Sequence, residues 1–252
     1  MLAEERRQEI LRLLDNKDSV HVSDLSKILD VTEETIRRDL DVLDKKKLLK
    51  RIHGGAVPLV SNSKNELNFN IRQNKKIKEK KQIAAKAIEL IEEGDTIFLD
   101  ASSTSLFLAK KLKKTQNITV VTNSIRIIFE LSDLNNITVI STGGILRPNS
   151  LSFVGPLANE TLKKYFADKI FASCKGISVN YGATDSNELE IEVKQNMIKQ
   201  SKKVIILSDH SKVNEIGLTQ FASIEEIDTL ITDELVDKSS LKNFEEAGLT
   251  IL

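Results

Sequence analysis

A single cysteine, Cys174, leaves no partner for an internal disulfide and too few thiolates for a cysteine-rich zinc site, which fits a reducing compartment. No apolar run approaches the roughly 18–20 residues needed to span a bilayer, and the opening MLAEERRQEI is charged where a secretion signal needs its apolar segment. The chain is therefore expected in the cytoplasm, with no membrane partner. An excess of either charge is also missing, since 37 Lys and Arg balance 37 Asp and Glu. No overall field draws the protein onto nucleic acid or an anionic surface, so any such partner has to be held by a local patch. What is present, 40% hydrophobic and 29% charged residues over 252 positions, suits a soluble globular chain of one or two domains.

Residues 1–58 are dense in short helical patterns. Ile10, Leu13 and Leu14 share one helical face, Leu25, Ile28 and Leu29 a second, and Ile36, Leu40 and Leu43 a third. Ser23 and Thr32 stand where N-caps of the second and third helices belong, which leaves only Asp30 to Thr32 between those helices. Next comes KLLKRIHGGAVPL, where Leu48–Ile52 and Ala56–Leu59 read as short strands around a Gly54-Gly55 turn. Residues 59–80 form a polar, basic linker, although Phe69 and Ile71 can pin part of it to a domain. From 81 to 252 apolar runs at 96–100, 118–122, 137–142, 169–173, 203–209 and 229–233 alternate with helical stretches, the pattern of an α/β domain with a mostly parallel sheet covered on both faces.

The stretch TIRRDL places Arg37 and Arg38 opposite the apolar stripe of the third helix, because Leu40 and Leu43 lie within about 40° of Ile36 on a helical wheel. Outward charges on a helix are ordinarily a solvated face. A tight helix-turn-helix followed by a glycine-tipped hairpin, however, is the arrangement of a winged helix, whose second helix of the pair enters the major groove. From Arg37 to Arg51 seven basic residues face three acidic ones, a bias that serves phosphate contacts. Arginine can also donate two parallel bonds to a guanine edge.

At these residues the chain resembles a known family. VTEETIRRDLDVLDKKKLLKRIHGGA, together with the opening ERRQEILRLL, is similar to the N-terminal signature of the DeoR family of bacterial transcription regulators. The resemblance implies that Thr35, Arg37 and Arg38 meet double-stranded operator DNA in the major groove, and that His53 and Gly54 form the wing. Thr32, Lys50 and Arg51 complete the candidate DNA-facing set.

A second group of residues lies at the ends of the apolar runs. FLDASSTSLFLAKKL passes from a strand through small hydroxyl residues into a helix, offering free amides and a positive dipole end to a phosphate. Ser102, Ser103 and Thr104 add hydroxyls, and Asp100 can take sugar hydroxyl hydrogens; the plain alternative is an ordinary helix cap. Asn123, the glycines Gly143 and Gly144, Arg147, Asp209 and Lys212 follow other strands, where ligands gather in open α/β sheets. Glu190 and Lys194, four apart on one helix, form either part of the site or a helix-stabilising pair.

This region too resembles the DeoR family, in its C-terminal sensor domain. The resemblance implies a fold similar to ribose-phosphate isomerase-type (ISOCOT-like) enzymes and a phosphorylated sugar or polyol as effector, with no cofactor, no metal and no catalytic residue. Asp100, Ser103, Thr104, Asn123, Gly143, Gly144, Glu190, Lys194, Asp209 and Lys212 fall on the family's motif positions. The chain departs from the family at Ser102, which replaces a glycine, and at Lys175 in CKGIS, where an acidic or amide residue is common. Lys175 can bind a further anionic group of the effector, and the lack of a carboxylate there argues against isomerase chemistry. The leading expectation is a homo-oligomeric DNA-binding regulator, dimer or tetramer, that represses a carbohydrate operon. The alternative is a sugar-phosphate isomerase with an appended DNA-binding module.

Overall fold

The structure, a computed structural model, describes residues 2–15, 19–46, 48–57, 68–114 and 117–252. It divides into two compact units, Met1–Lys75 and Lys76–Leu252. The division falls inside the stretch expected to be a linker, part of which is helical; residues 58–67, including the end of the second wing strand expected at 56–59, lie outside the described residues.

Unit 1 contains α1 (Ala3–Asp15), β1 (Val20–His21), α2 (Val22–Leu29), α3 (Glu33–Lys45), β2 (Lys50–Ile52), β3 (Gly55–Val57) and α4 (Phe69–Asn74). Ile10, Leu14, Leu25, Ile36, Leu40 and Leu43 bury their side chains in one core. The turn between α2 and α3 closes with Asp30 in the left-handed conformation (φ 50°) and with Thr32 as N-cap, its Oγ1 accepting the Thr35 amide at 3.3 Å. Two expectations about α2 need correction. Ser23 lies inside the helix, which starts earlier because the Val22 amide is held by the Gly54 carbonyl at 2.9 Å; Ile28 is exposed, since the buried stripe runs through Val22, Leu25 and Leu29. The hairpin β2–β3 joins β1 in an antiparallel sheet of order β1-β3-β2. Gly54 turns the hairpin at φ 84°, and a Cβ on Gly55 would sit 2.0 Å from the Val20 carbonyl oxygen. The glycine pair thus serves both turn geometry and close strand approach.

Unit 2 contains α5 (Ile77–Ala87), β4 (Thr96–Leu99), α6 (Ser103–Lys111), β5 (Ile118–Thr122), α7 (Ile125–Leu131), β6 (Ile137–Ser141), β7 (Ile145–Arg147), β8 (Ser152–Val154), α8 (Pro156–Leu162), β9 (Ala167–Ser173), β10 (Gly176–Ser178), β11 (Gly182–Asp185), α9 (Glu188–Lys199), β12 (Ser201–Leu207), β13 (Thr219–Ala222), β14 (Thr229–Ile231), α10 (Lys238–Glu246) and β15 (Thr250–Ile251). The main sheet has the order β15-β14-β12-β9-β4-β5-β6, and every pairing in it is parallel. Phe98, Ile170 and Ile206 fill its core. Smaller antiparallel sheets, β7-β8 and β10-β11-β13, stand apart from it. Because parallel strands all point one way, Asn123, Asp100, Ser173, Asp209 and Asp233 come together along the carboxyl edge, from loops far apart in sequence.

Candidate functional site

In unit 1 the expected DNA-facing residues lie on the outer side of α3 and on the hairpin. Arg37 and Arg38 are exposed and, among the described residues, ion-paired only within their own helix, Arg37 NH2 to Glu33 Oε2 at 2.6 Å and Arg38 Nε to Glu34 Oε1 at 3.3 Å. Such exposed i,i+4 pairs contribute about 0.3–0.5 kcal/mol each, little enough to be exchanged for a phosphate or a base edge. Thr35 shares a hydroxyl contact of 2.9 Å with Thr32. Lys50, His53 and Gly54 are exposed, whereas Arg51 is tethered, NH1 lying 2.5 Å from Asp41 Oδ1 and its amide donating to Asp44 Oδ1 at 3.1 Å. Arg51 therefore ties the hairpin to α3. Asp39, one residue past the arginines, was not singled out from sequence. Buried, it accepts from Arg6 Nε at 2.6 Å and Arg7 Nε at 2.9 Å, fastening α1 to α3.

In unit 2 the strand-to-helix turn after β4 is built around Asp100. Its Oδ1 accepts from the Ser102 amide at 3.3 Å and Ser105 Oγ at 2.5 Å; its Oδ2 accepts from the Ser173 amide at 3.0 Å and lies 3.1 Å from Lys194 Nζ. A carboxylate has about four acceptor positions, and all are used. Asp100 therefore shapes the turn, which leaves no acceptor for the sugar hydroxyls expected there. Ser102 caps α6, Oγ taking the Ser105 amide at 3.0 Å, with a negative φ of −86°, so the family's glycine is not required at this position. The cap engages Ser105 and Leu106, leaving the amides of Ser103 and Thr104 without helical partners beside their own hydroxyls.

Lys194 does not pair with Glu190 as the i,i+4 spacing allowed. Its Nζ donates to Asp185 Oδ2 at 2.6 Å and the Ser173 carbonyl at 2.5 Å, and stands 4.8 Å over the Phe221 ring. Burial works against its charge, yet Asp185 and Asp100 hold the ammonium above the ordinary lysine range. Glu190 joins a neighbouring cluster, accepting from Ser152 Oγ at 2.6 Å and pairing with Arg147 NH1 at 2.9 Å. Asn123 adjoins this cluster: Nδ2 donates to the Phe153 carbonyl at 3.0 Å, while its buried Oδ1 has no hydrogen-bond partner. Gly143 and Gly144, at φ 62° and 119°, form the loop after β6; a Cβ on Gly144 would meet the Val154 carbonyl oxygen at 2.7 Å. Lys175 is exposed on the turn into β10, and among the described residues no side-chain bond draws it into the network.

Lys212 Nζ donates to Ser173 Oγ at 3.0 Å and lies 3.7 Å from Asp209 Oδ2. Burial raises the Asp209 carboxyl, but Lys212 and the Ser211 bonds outweigh it and hold the group below the ordinary carboxylate range. A depressed folded value means that Asp209 stabilises the fold fully above the ordinary aspartate range, and that this contribution is lost as pH falls through the folded value. Asp209→Asn should therefore be less stable than the parent at neutral pH, with the gap narrowing on acidification. Urea midpoints at a series of pH values check this, and a gap that widens toward acid contradicts it. Burial pushes the Cys174 thiol up to about 11, so it stays protonated and unreactive.

Residues 6–62 match the DeoR-like helix-turn-helix domain and residues 75–234 the DeoR C terminal sensor domain. The chain is 44% identical over 251 residues to the HTH-type transcriptional regulator YulB of Bacillus subtilis, covering 100% of this chain and 96% of that one. It is 35% identical over 243 residues to an L-fucose operon activator of Haemophilus influenzae, with 96% of each chain covered. To the transcriptional repressor GlcR of Bacillus subtilis it is 34% identical over 252 residues, covering 100% and 96%. Among solved structures, ribose 5-phosphate isomerase A from Methanocaldococcus jannaschii matches over 54% of each chain at 14% identity, with a TM-score of 0.41.

Proposed function

The chain belongs to the DeoR family of HTH-type transcriptional regulators, and from that membership we propose that it represses a carbohydrate operon under the control of a phosphorylated sugar or polyol held in unit 2. As a DNA-binding regulator it acts through unit 1. The observation that carries the effector reading is the carboxyl edge of the main sheet. Unpartnered first-turn amides and hydroxyls of Ser103 and Thr104 suit a phosphate, Lys212 supplies a cation nearby, and the unpaired Asn123 Oδ1 calls for a donor such as a sugar hydroxyl. A head with one recognition helix covers a short half-site, so self-association into a dimer or tetramer supplies the remaining specificity, and the protein works in the cytoplasm where its DNA is. The effector controls DNA binding by favouring one arrangement of the assembly over another.

The test is calorimetric titration with glucose 6-phosphate, fructose 1-phosphate, ribose 5-phosphate and glycerol 3-phosphate, paired with release of labelled DNA taken from upstream of the protein's own gene. Saturable binding by one of them, lost in Lys212→Ala with DNA affinity retained, is expected. A flat response across a broad sugar-phosphate panel would sink the effector reading. Asp100→Ala is the poorer test, because it would unmake the turn itself.

Arg38→Ala is expected to weaken operator binding by about 10–100-fold, the value of one good bidentate base contact. Its melting temperature should match the parent, since the lost ion pair is exposed. Anisotropy titrations at fixed salt measure the first and a thermal melt the second; unchanged affinity removes Arg38 from the contact set.

A further inference from the structure

Unit 2 opens on Lys76, which caps α5 with φ 52° and ψ 43°. Residues bearing a Cβ seldom adopt this left-handed conformation, so the surroundings must hold it. The Lys76 Nζ lies 3.2 Å from His210 Nε2. His210 begins the short helical turn His210–Lys212, which has Asp209 as its cap and Lys212 as its last residue, two of the effector-site candidates. The other side of the imidazole is fixed. Nδ1 lies 2.9 Å from Asp233 Oδ1, and the His210 amide donates to Asp233 Oδ2 at 2.8 Å. Asp233 is buried at the end of β14 and also accepts the Leu235 amide at 3.0 Å. A carboxylate only accepts, so Nδ1 donates to Asp233 and Nε2 faces the Lys76 Nζ.

We propose that His210 is a positioning residue that couples the effector turn to the start of α5, through the relay Asp233–His210–Lys76. The proposal rests on the reading of unit 2 as an effector sensor. An anion that draws Lys212 Nζ away from Ser173 Oγ shifts the turn, and His210, two residues earlier, moves with it. Lys76, whose backbone sits in the left-handed well at the start of α5, then loses its contact with His210, and the change passes along the chain toward unit 1. Coupling between sites is reciprocal, so DNA held by unit 1 must act back on the turn.

That reciprocity gives a test that needs no knowledge of the effector. Hydrogen exchange is followed by mass spectrometry on the full-length protein, with and without a duplex that the protein itself selects from a random-sequence pool. In the parent, the duplex is expected to change exchange at residues 76–82 and 209–213 by about threefold or more, the scale of a local opening equilibrium. Lys76→Met and His210→Phe are expected to keep DNA affinity within about twofold, as residues of unit 2 outside the DNA-facing set should, and to lose the response at 209–213. Without DNA, each variant should loosen residues 76–82, and the double variant no more than either single one. The relay is overturned if the parent shows no response at 209–213, if Lys76→Met transmits it in full, or if the two substitutions act additively. The sugar-phosphate titration of the parent separates the two claims: a flat panel beside an intact DNA response sinks the effector reading and leaves the relay standing.

Discussion

Asp39→Ala is expected to destabilise unit 1 by about 3–5 kcal/mol and to abolish specific DNA binding, because it strips Arg6 and Arg7 of the buried carboxylate they share. Arg6 and Arg7 both reach the one carboxylate, and the Asp39 side chain is only 3% exposed. The magnitude decides the outcome. Unit 1 runs from residue 1 to residue 75, and at about 0.05–0.15 kcal/mol per residue its whole stability is roughly 4–11 kcal/mol. Losing the α1–α3 fastening therefore removes a large share of it, and the helix that presents Arg37 and Arg38 loses its support. Asp39→Asn keeps the shape and one acceptor, so it should fall between the two. Circular-dichroism melts together with DNA anisotropy measure both effects. Parent-like melting and affinity in Asp39→Ala would show that the ion pairs are dispensable.

The same helix shows why some of this unit was legible and some was not. Thr32 as N-cap and the connection from Asp30 to Thr32 follow from local rules, since the capping hydroxyl and the first-turn amides are sequence neighbours. Ile28 misled because three apolar residues within five positions suit more than one stripe, and Val22, which decides the stripe, sits at the junction of β1 and α2. Asp39 does carry a signal in the sequence. It lies within about 60° of Ile36 on the wheel, inside the apolar sector, where a carboxylate needs a partner. Two arginines in ERRQEI were available to provide it.

In unit 2 six of the seven parallel strands announced themselves as continuous apolar runs, because both their faces are covered; the two-residue edge strand β15 did not. Strands β7, β8, β10, β11 and β13 did not, being only 3–4 residues long and rich in small or polar residues. The candidate site residues largely converge on the carboxyl edge, but their roles depend on pairings across the fold that spacing cannot express. Asp185, Ser173, Ser152, His210 and Asp233 complete the networks, and the motifs gave no reason to choose them over other polar residues. Lys175 looked like a site residue because it departs from a family pattern, yet its side chain is exposed on a turn.

Lys194→Met tests the central pairing of unit 2. It should cost about 3–5 kcal/mol, because methionine matches the length of the lysine stem but takes from Asp100 and Asp185 the ammonium they share. Lys194 Nζ stands 3.1 Å from one and 2.6 Å from the other, and the side chains of Lys194 and Asp100 are 8% and 2% exposed. The raised folded-state value of Lys194 means that its contribution is complete below the ordinary lysine range and fades only as pH climbs through the folded value. The deficit of the variant should therefore stay flat across neutral pH. Adding Asp185→Asn to Lys194→Met removes one of the two carboxylates that shared the ammonium, so the double variant should lose less than the sum of the two single changes. Effector response is expected to disappear in Lys194→Met while DNA affinity persists, since Asp100 shapes the turn that begins α6 and the DNA-facing residues belong to unit 1. Additive losses in the double-variant cycle, or a Lys194→Met protein as stable as the parent, would mean that the buried ammonium is a bystander and that the turn is held by the serine bonds alone.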